Sequence, residues 1–135
     1  MDKEVVSAKL EALRRCLQRI KDRTPASAAG LLEDYDRQDI ICVNLERAVQ
    51  TCVDLAAHII AQSDLPAPGS MVEGFEQLGR LGLISEELAV RMKKAVGFRN
   101  VAVHDYQKLN LDIVRSILVE RLDDFLEFTR LLLQK

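Results

Sequence analysis

The sequence predicts an all-α fold: an up-and-down bundle of four main helices and one short one. Three observations predict it. Apolar residues recur at spacings of three and four along most of the chain. No segment shows sustained period-2 alternation with strand composition. Leu, Ile, Val and Ala dominate, while aromatics are 4% and Trp is absent, so the core is aliphatic. At 135 residues, with 48% hydrophobic and 30% charged side chains, the chain has the size of one domain and can bury a real core. No repeat, low-complexity tract or internal boundary divides residues 1–135.

The first helix is expected from Asp2 to about Lys21. Val6, Leu10, Leu13, Leu17 and Ile20 form its apolar stripe, and Arg14, Arg15, Arg19, Lys21 and Arg23 fill much of the other side. Pro25 and Gly30 weaken the stretch TPASAAG that follows. Asp36 is a suitable N-cap for a second helix from about Arg37 to Gln62. Ile41, Leu45, Ala48, Cys52, Leu55 and Ile59 make one stripe on it, and Val49, Val53, Ala56 and Ile60 a second beside it. So wide an apolar face predicts more than one neighbour.

SDLPAPGS, Ser63 to Ser70, is a clear break, with two prolines and a glycine. Ser70 with Glu73 reads as a capping box for a short third helix ending near Gly79 to Gly82. Ser85, Glu86 and Glu87 start a fourth, because carboxylates favour the positive end of a helix dipole. Its stripe is Leu88, Met92, Ala95 and Val96. Asn110 is a candidate cap for the last helix, whose apolar positions run from Ile113 through Leu118, Leu122 and Phe125 to Leu133 as core or dimer interface.

Formal net charge is −2, so the protein is no polycation, and any nucleic-acid binding has to come from a local basic patch. Cys16, Cys42 and Cys52 are odd in number and form no CxxC pair, which suits buried reduced thiols and a reducing compartment. The start MDKEVVSAKL has no long apolar run of the signal-peptide kind, and no window approaches a membrane span. The expected location is the cytoplasm.

Chemistry concentrates in RNVAVHDY, Arg99 to Tyr106, which holds one of two histidines and one of two tyrosines. Arginine offers a rigid fork of donors suited to phosphate. Histidine takes and returns protons near neutral pH. Asn100 can fix a ligand or the imidazole, and Asp105 can orient His104. No Gly-rich phosphate loop, HExxH or Cys/His metal spacing accompanies them, and no cofactor is implied. Arg and His without a metal set suit RNA phosphodiester cleavage, where the 2′-OH is the nucleophile and the protein supplies proton transfer and charge stabilisation. An arginine and a histidine near a helix end are more often an ordinary C-terminal cap and a satisfied surface pair.

Geometry complicates the catalytic alternative. Five residues turn a straight helix about 140° past a full circle, so Arg99 and His104 point to different sides. Either the backbone bends or breaks between them, with Gly97 as a weak point, or a second copy completes the site. Elsewhere, Asp54 and His58 share a helix face; they are either a second polar cluster lining the cleft, or a helix-surface ion pair or core-edge histidine. Arg91, Lys93 and Lys94 either gather RNA phosphates or form a solvated face. The first-helix arginines suit RNA, an acidic partner surface or solvent.

R-x4-H followed by x-Y, as Arg99, His104 and Tyr106, resembles the signature of HEPN-domain proteins. NLERAVQTCVDLAAHII, GFEQLGRLGLIS and VGFRNVAVHDY follow, in order, the pattern of the HepT branch, the toxin half of HepT–MntA toxin–antitoxin pairs. The resemblance covers nearly the whole chain and implies a single HEPN domain that pairs about a two-fold axis, with both motifs in one cleft. It implies a metal-independent ribonuclease acting on cellular RNA, with tRNA among the targets. Arg99 would stabilise the phosphorane, His104 would act as general base or acid, and Asn100 would position phosphate or imidazole. It also implies an ATP-using nucleotidyltransferase antitoxin of the minimal MNT type that transfers AMP to Tyr106 and thereby blocks the cleft. The rival from another class is a non-catalytic helical dimer that presents nucleotide or substrate to a partner nucleotidyltransferase.

Overall fold

The computed structural model describes residues 3–25, 30, 33–104 and 121–133, the side chains of 102–104 and 133 excepted. Its principal helices are α1 (Lys3–Arg23), α2 (Tyr35–Ile60), α3 (Met71–Arg80), α4 (Glu86–His104) and α5 (Leu122–Leu133). There is no strand among the described residues, and no helix there is long and apolar enough to cross a membrane. The expected all-helical class holds. The cap at Asn110 and the apolar positions before Leu122 lie outside the described residues.

Helix α1 buries Val6, Leu13, Cys16, Leu17 and Ile20. It ends where the Thr24 hydroxyl donates to the Ile20 carbonyl at 2.8 Å, just before Pro25. Helix α2 starts two residues earlier than the sequence suggests. Its N-cap is Asp34, not Asp36: Asp34 is extended, and its carboxylate accepts from the Arg37 amide at 3.0 Å. Asp36 instead places its charge in the first turn, where it favours the helix dipole.

Both stripes of α2 are covered. Ile41, Leu45, Ala48, Val49, Cys52, Leu55, Ala56 and Ile60 are buried, and α2 packs on all four other helices. The α1–α2 pair is antiparallel. Lys9 Nζ meets Asp54 Oδ2 at 3.1 Å at one end, and Arg37 Nη1 donates to the Arg23 carbonyl at 3.1 Å at the other.

The capping box at α3 forms with one change of partner. Ser70 Oγ accepts from the Glu73 amide at 3.1 Å, and the Glu73 carboxylate accepts from Gly69 N–H at 3.0 Å rather than from Ser70 itself. Gly74 faces Ala56 of α2 and Pro68 of the preceding loop, where an added Cβ would sit 3.6 Å and 3.8 Å from their nearest atoms. The helix closes in a Schellman motif: Gly82 has φ +73°, Leu83 N–H donates to Leu78 at 3.1 Å and Gly82 N–H to Gly79 at 3.0 Å. Ser85 Oγ then caps α4 by accepting from Leu88 N–H at 3.1 Å. Helices α3 and α4 run antiparallel, with Lys93 Nζ 3.4 Å from Glu76 Oε1.

Helix α5 buries Leu122, Phe125, Phe128 and Leu132. Phe128 meets Phe75 of α3 edge-to-face, with centroids 5.5 Å apart and rings at 75°. Both rings are fully inaccessible. Phe75→Ala is therefore expected to lower stability by about 3–5 kcal/mol in urea denaturation. A loss below about 1 kcal/mol would show that this ring pair does not tie α3 to α5.

Candidate active site

Helix α4 is apolar on more than one side. Leu88, Ala89, Met92 and Val96 are buried, while Val90 and Val101 are 46% and 39% exposed. It runs unbroken through Gly97 to His104, so of the two alternatives the sequence leaves open, a break of the helix between Arg99 and His104 is not the one found. The glycine costs about 1 kcal/mol, and burial of the Leu88, Met92 and Val96 side chains outweighs it. Gly97 itself is exposed, and a Cβ there would meet nothing within 4 Å.

The unbroken helix fixes where the motif residues stand. At about 100° per residue, Leu88, Met92 and Arg99 fall within about 40° of one another. Arg99 thus prolongs the core stripe and is half-buried. Its Nη1 donates to Asn100 Oδ1 at 3.2 Å, whereas its Nε is buried and has no acceptor among the described residues. A buried guanidinium N–H without an acceptor is costly, and an anionic oxygen is the group that would relieve it. His104 occupies the last position of α4, about 140° round the axis from Arg99. Its position falls on the face that carries Gly97 and Val101. The His104 side chain, and Asp105 and Tyr106 entirely, lie outside the described residues.

Asp54 and His58 lie one turn apart on α2 and are both half-buried. Asp54 is held by Lys9 at 3.1 Å and by Gln50 Nε2, which donates to it at 2.9 Å. The Lys9 bond ties α1 to α2.

Two of the cations leading to the motif are engaged within the fold. Arg91 spreads its fork over α5, with Nε 3.0 Å from Asp124 Oδ1 and Nη2 3.3 Å from Glu127 Oε2. Lys93 pairs with Glu76. Lys94 is exposed. Arg91 therefore positions the motif helix against α5, a role the sequence reading missed. The only local signal is a pair of carboxylates at i and i+3, Asp124 and Glu127, which a guanidinium fork can span; the partner 33 residues away is visible only in the fold.

This helical arrangement has close counterparts. Residues 13–132 match the family described as ribonuclease HepT-like, and the chain belongs to that family. It is 38% identical over 125 residues to the mRNA nuclease HepT of Shewanella oneidensis, covering 93% of each chain. It is 26% identical over 106 residues to the tRNA nuclease HepT of Aphanizomenon flos-aquae, covering 78% of this chain and 72% of the relative. Its fold superimposes on the tri-AMPylated Shewanella oneidensis HEPN toxin, solved in complex with an MNT antitoxin, with a TM-score of 0.92 at 36% identity over 100% of both chains.

The cysteines stand apart from the motif. Cys16 and Cys52 are buried and Cys42 is half-buried. Burial pushes all three thiols up. For Cys42, Glu46 and Asp39 add to it and the value reaches about 11; for Cys16, Arg47, Arg15 and Arg19 oppose it. Because Cys42 ionises later in the fold than its ordinary value of 9.0, its contribution to stability is intact below that pH and is lost as pH rises toward about 11. At pH 8 iodoacetamide is expected to alkylate the native protein far more slowly than the urea-unfolded chain. Equal rates would show that the fold does not shield these thiols.

Proposed function

We propose that the chain is the toxin half of a toxin–antitoxin pair, a ribonuclease that cuts cellular RNA without a metal ion. The observation that carries this reading is the family match over residues 13–132, within which this chain's Arg99, His104 and Tyr106 fall. The relatives named as mRNA and tRNA nucleases point to RNA as substrate.

In the proposed reaction the ribose 2′-OH attacks the adjacent phosphorus while His104 takes its proton or delivers one to the departing 5′-oxygen. The P–O5′ bond breaks and a 2′,3′-cyclic phosphate remains. Arg99 neutralises the charge that builds on the phosphorane oxygens. Asn100 keeps the guanidinium fork aimed through their 3.2 Å hydrogen bond, and Asp105 orients the imidazole. Asp54 and His58 are supporting groups from α2.

A homodimer is part of the same proposal. Arg99 and His104 stand about 140° apart on an unbroken helix, so one copy cannot readily aim both at one phosphate. Val90, Lys94, Gly97 and Val101 line the outward face of α4 within about 60°, and Gly97 leaves room for a close approach. A second copy crossing there would cover two exposed valines and set two motifs in one cleft.

The antitoxin in this proposal is an ATP-using nucleotidyltransferase of the MNT type, as in the complex of the Shewanella toxin. The Tyr106 phenol attacks the α-phosphorus of ATP, AMP is transferred and pyrophosphate leaves. The added phosphate stands two residues from His104, where it fills the cleft and repels RNA.

Arg99→Ala and His104→Ala are each expected to lower RNA cleavage by about 10²-fold or more and to abolish growth arrest, whereas EDTA leaves the wild type unchanged. Full activity in both variants would defeat the catalytic assignment. Co-expression with the nucleotidyltransferase is expected to add AMP mass to the wild type and none to Tyr106→Phe. An undiminished mass gain in that variant would place the modification on another residue.

A further inference from the structure

Helix α1 carries seven cationic side chains against three acidic ones, a local charge of +4 in a chain of net −2. Three of the seven cations share one edge of the helix with Cys16. At about 100° per residue, Lys9, Cys16, Arg19 and Arg23 fall within about 80° of one another, while Glu4, Glu11 and Asp22 cluster roughly 100° away.

The cationic edge runs along the seam with α2. The Lys9–Asp54 pair at 3.1 Å and the bond from Arg37 to the Arg23 carbonyl at 3.1 Å fix the register at its two ends. Midway, Arg47 of α2 joins Arg15 and Arg19 of α1 in acting on the buried Cys16 thiol. Arg19, Arg23 and Arg47 are exposed and form no ion pair among the described residues. Carboxylates bound the seam rather than fill it: Asp54 at one end is taken by Lys9, and Asp34 at the other by Arg37 at 3.6 Å with Asp36 beside it in sequence. Glu46 and Asp39 of α2 act instead on Cys42. From Lys9 to Arg23 the seam is about 21 Å long.

The motif helix has the opposite economy of charge, because Arg91 and Lys93 are bound to internal carboxylates. We propose that the α1–α2 seam is a docking track for the phosphate backbone of the RNA substrate, gripped by Arg19, Arg23 and Arg47; this presupposes the ribonuclease activity proposed above. Charge complementarity selects this occupant. Three guanidinium forks along one edge suit successive phosphates, and an acidic chain that binds RNA needs such a local patch. The seam supplies hold on the strand and leaves bond breaking to the motif.

The test compares full-length wild type with the triple variant Arg19→Gln, Arg23→Gln, Arg47→Gln, after circular dichroism melting shows the fold retained. Binding of a fluorescent, uncleavable 2′-O-methyl RNA is titrated across salt, and cleavage of ordinary RNA is followed in parallel. Loss of three contacts is expected to lower the slope of log affinity against log salt by about 2. Affinity is expected to fall at least tenfold, and cleavage to suffer through KM far more than through kcat. Unchanged slope and affinity would overturn the track. So would loss of nucleotidyltransferase binding with RNA binding intact, which would make the seam a protein interface. If the wild type binds the uncleavable RNA, the triple variant does not, and neither cleaves RNA, the ribonuclease reading fails while the track stands.

Discussion

A 26-residue helix with two adjacent apolar stripes is unstable in water until both are covered, and the rest of this chain is disposed to cover α2. Helix α1 lies antiparallel along one side. Helices α3, α4 and α5 take the other, with Gly74 letting α3 approach Ala56. Burial on this scale leaves little room for polar groups, and the amide nitrogens of the two buried on α2 and α3 are bonded to backbone carbonyls. Asn44, 3% exposed, returns its amide to the Ile40 carbonyl at 2.8 Å within the same helix. Gln77, 1% exposed, donates to the Pro66 carbonyl at 3.0 Å and so ties the proline loop to α3.

What the sequence could reveal follows from the range over which each signal acts. Ser70 with Glu73, Gly82, and Ser85 with two glutamates are rules of three or four residues, and each marks a helix end in the fold. Asp34 and Asp36 obey the same rule equally well, so capping chemistry alone could not choose between them. The two stripes of α2 announced several neighbours, but not which. Arg91 shows the limit most clearly. Its position before the motif suggested phosphate, yet its fork is taken by two carboxylates of α5. No local pattern separates a free arginine from one paired across 33 residues. The candidate site was legible as chemistry, through Arg99, Asn100 and His104. The continuity of α4 past Gly97 was not, because helix propensity there is overruled by burial upstream.

Charge is partitioned in a way that net charge conceals. A total of −2 is the sum of a strongly cationic α1 and a more acidic remainder. Within that remainder the cations beside the motif are largely neutralised by Asp124, Glu127 and Glu76. These pairs are partly exposed, so each contributes little stability in itself, but together they fix how α4 lies against α3 and α5. Among the described residues, the cations left to face a polyanion include Arg99 and Lys94 on the motif helix and those along the seam of α1 with α2.

Helix α4 has to satisfy two demands at once, and the spacing within the motif expresses both. Its inner stripe anchors it in the core, and Arg99 continues that stripe, so the guanidinium is held half-buried with one N–H lacking an acceptor among the described residues. A more exposed cation would be better solvated and less demanding of an anion. Five residues on, the helix has turned the His104 position toward the face of Gly97 and Val101. A spacing of four would have put both residues on one side of a single helix, within reach of one another but both competing for the core or both for solvent. A spacing of five keeps the arginine on the anchored stripe and places position 104 on the other face of the helix, and that division is consistent with a site completed by a second copy.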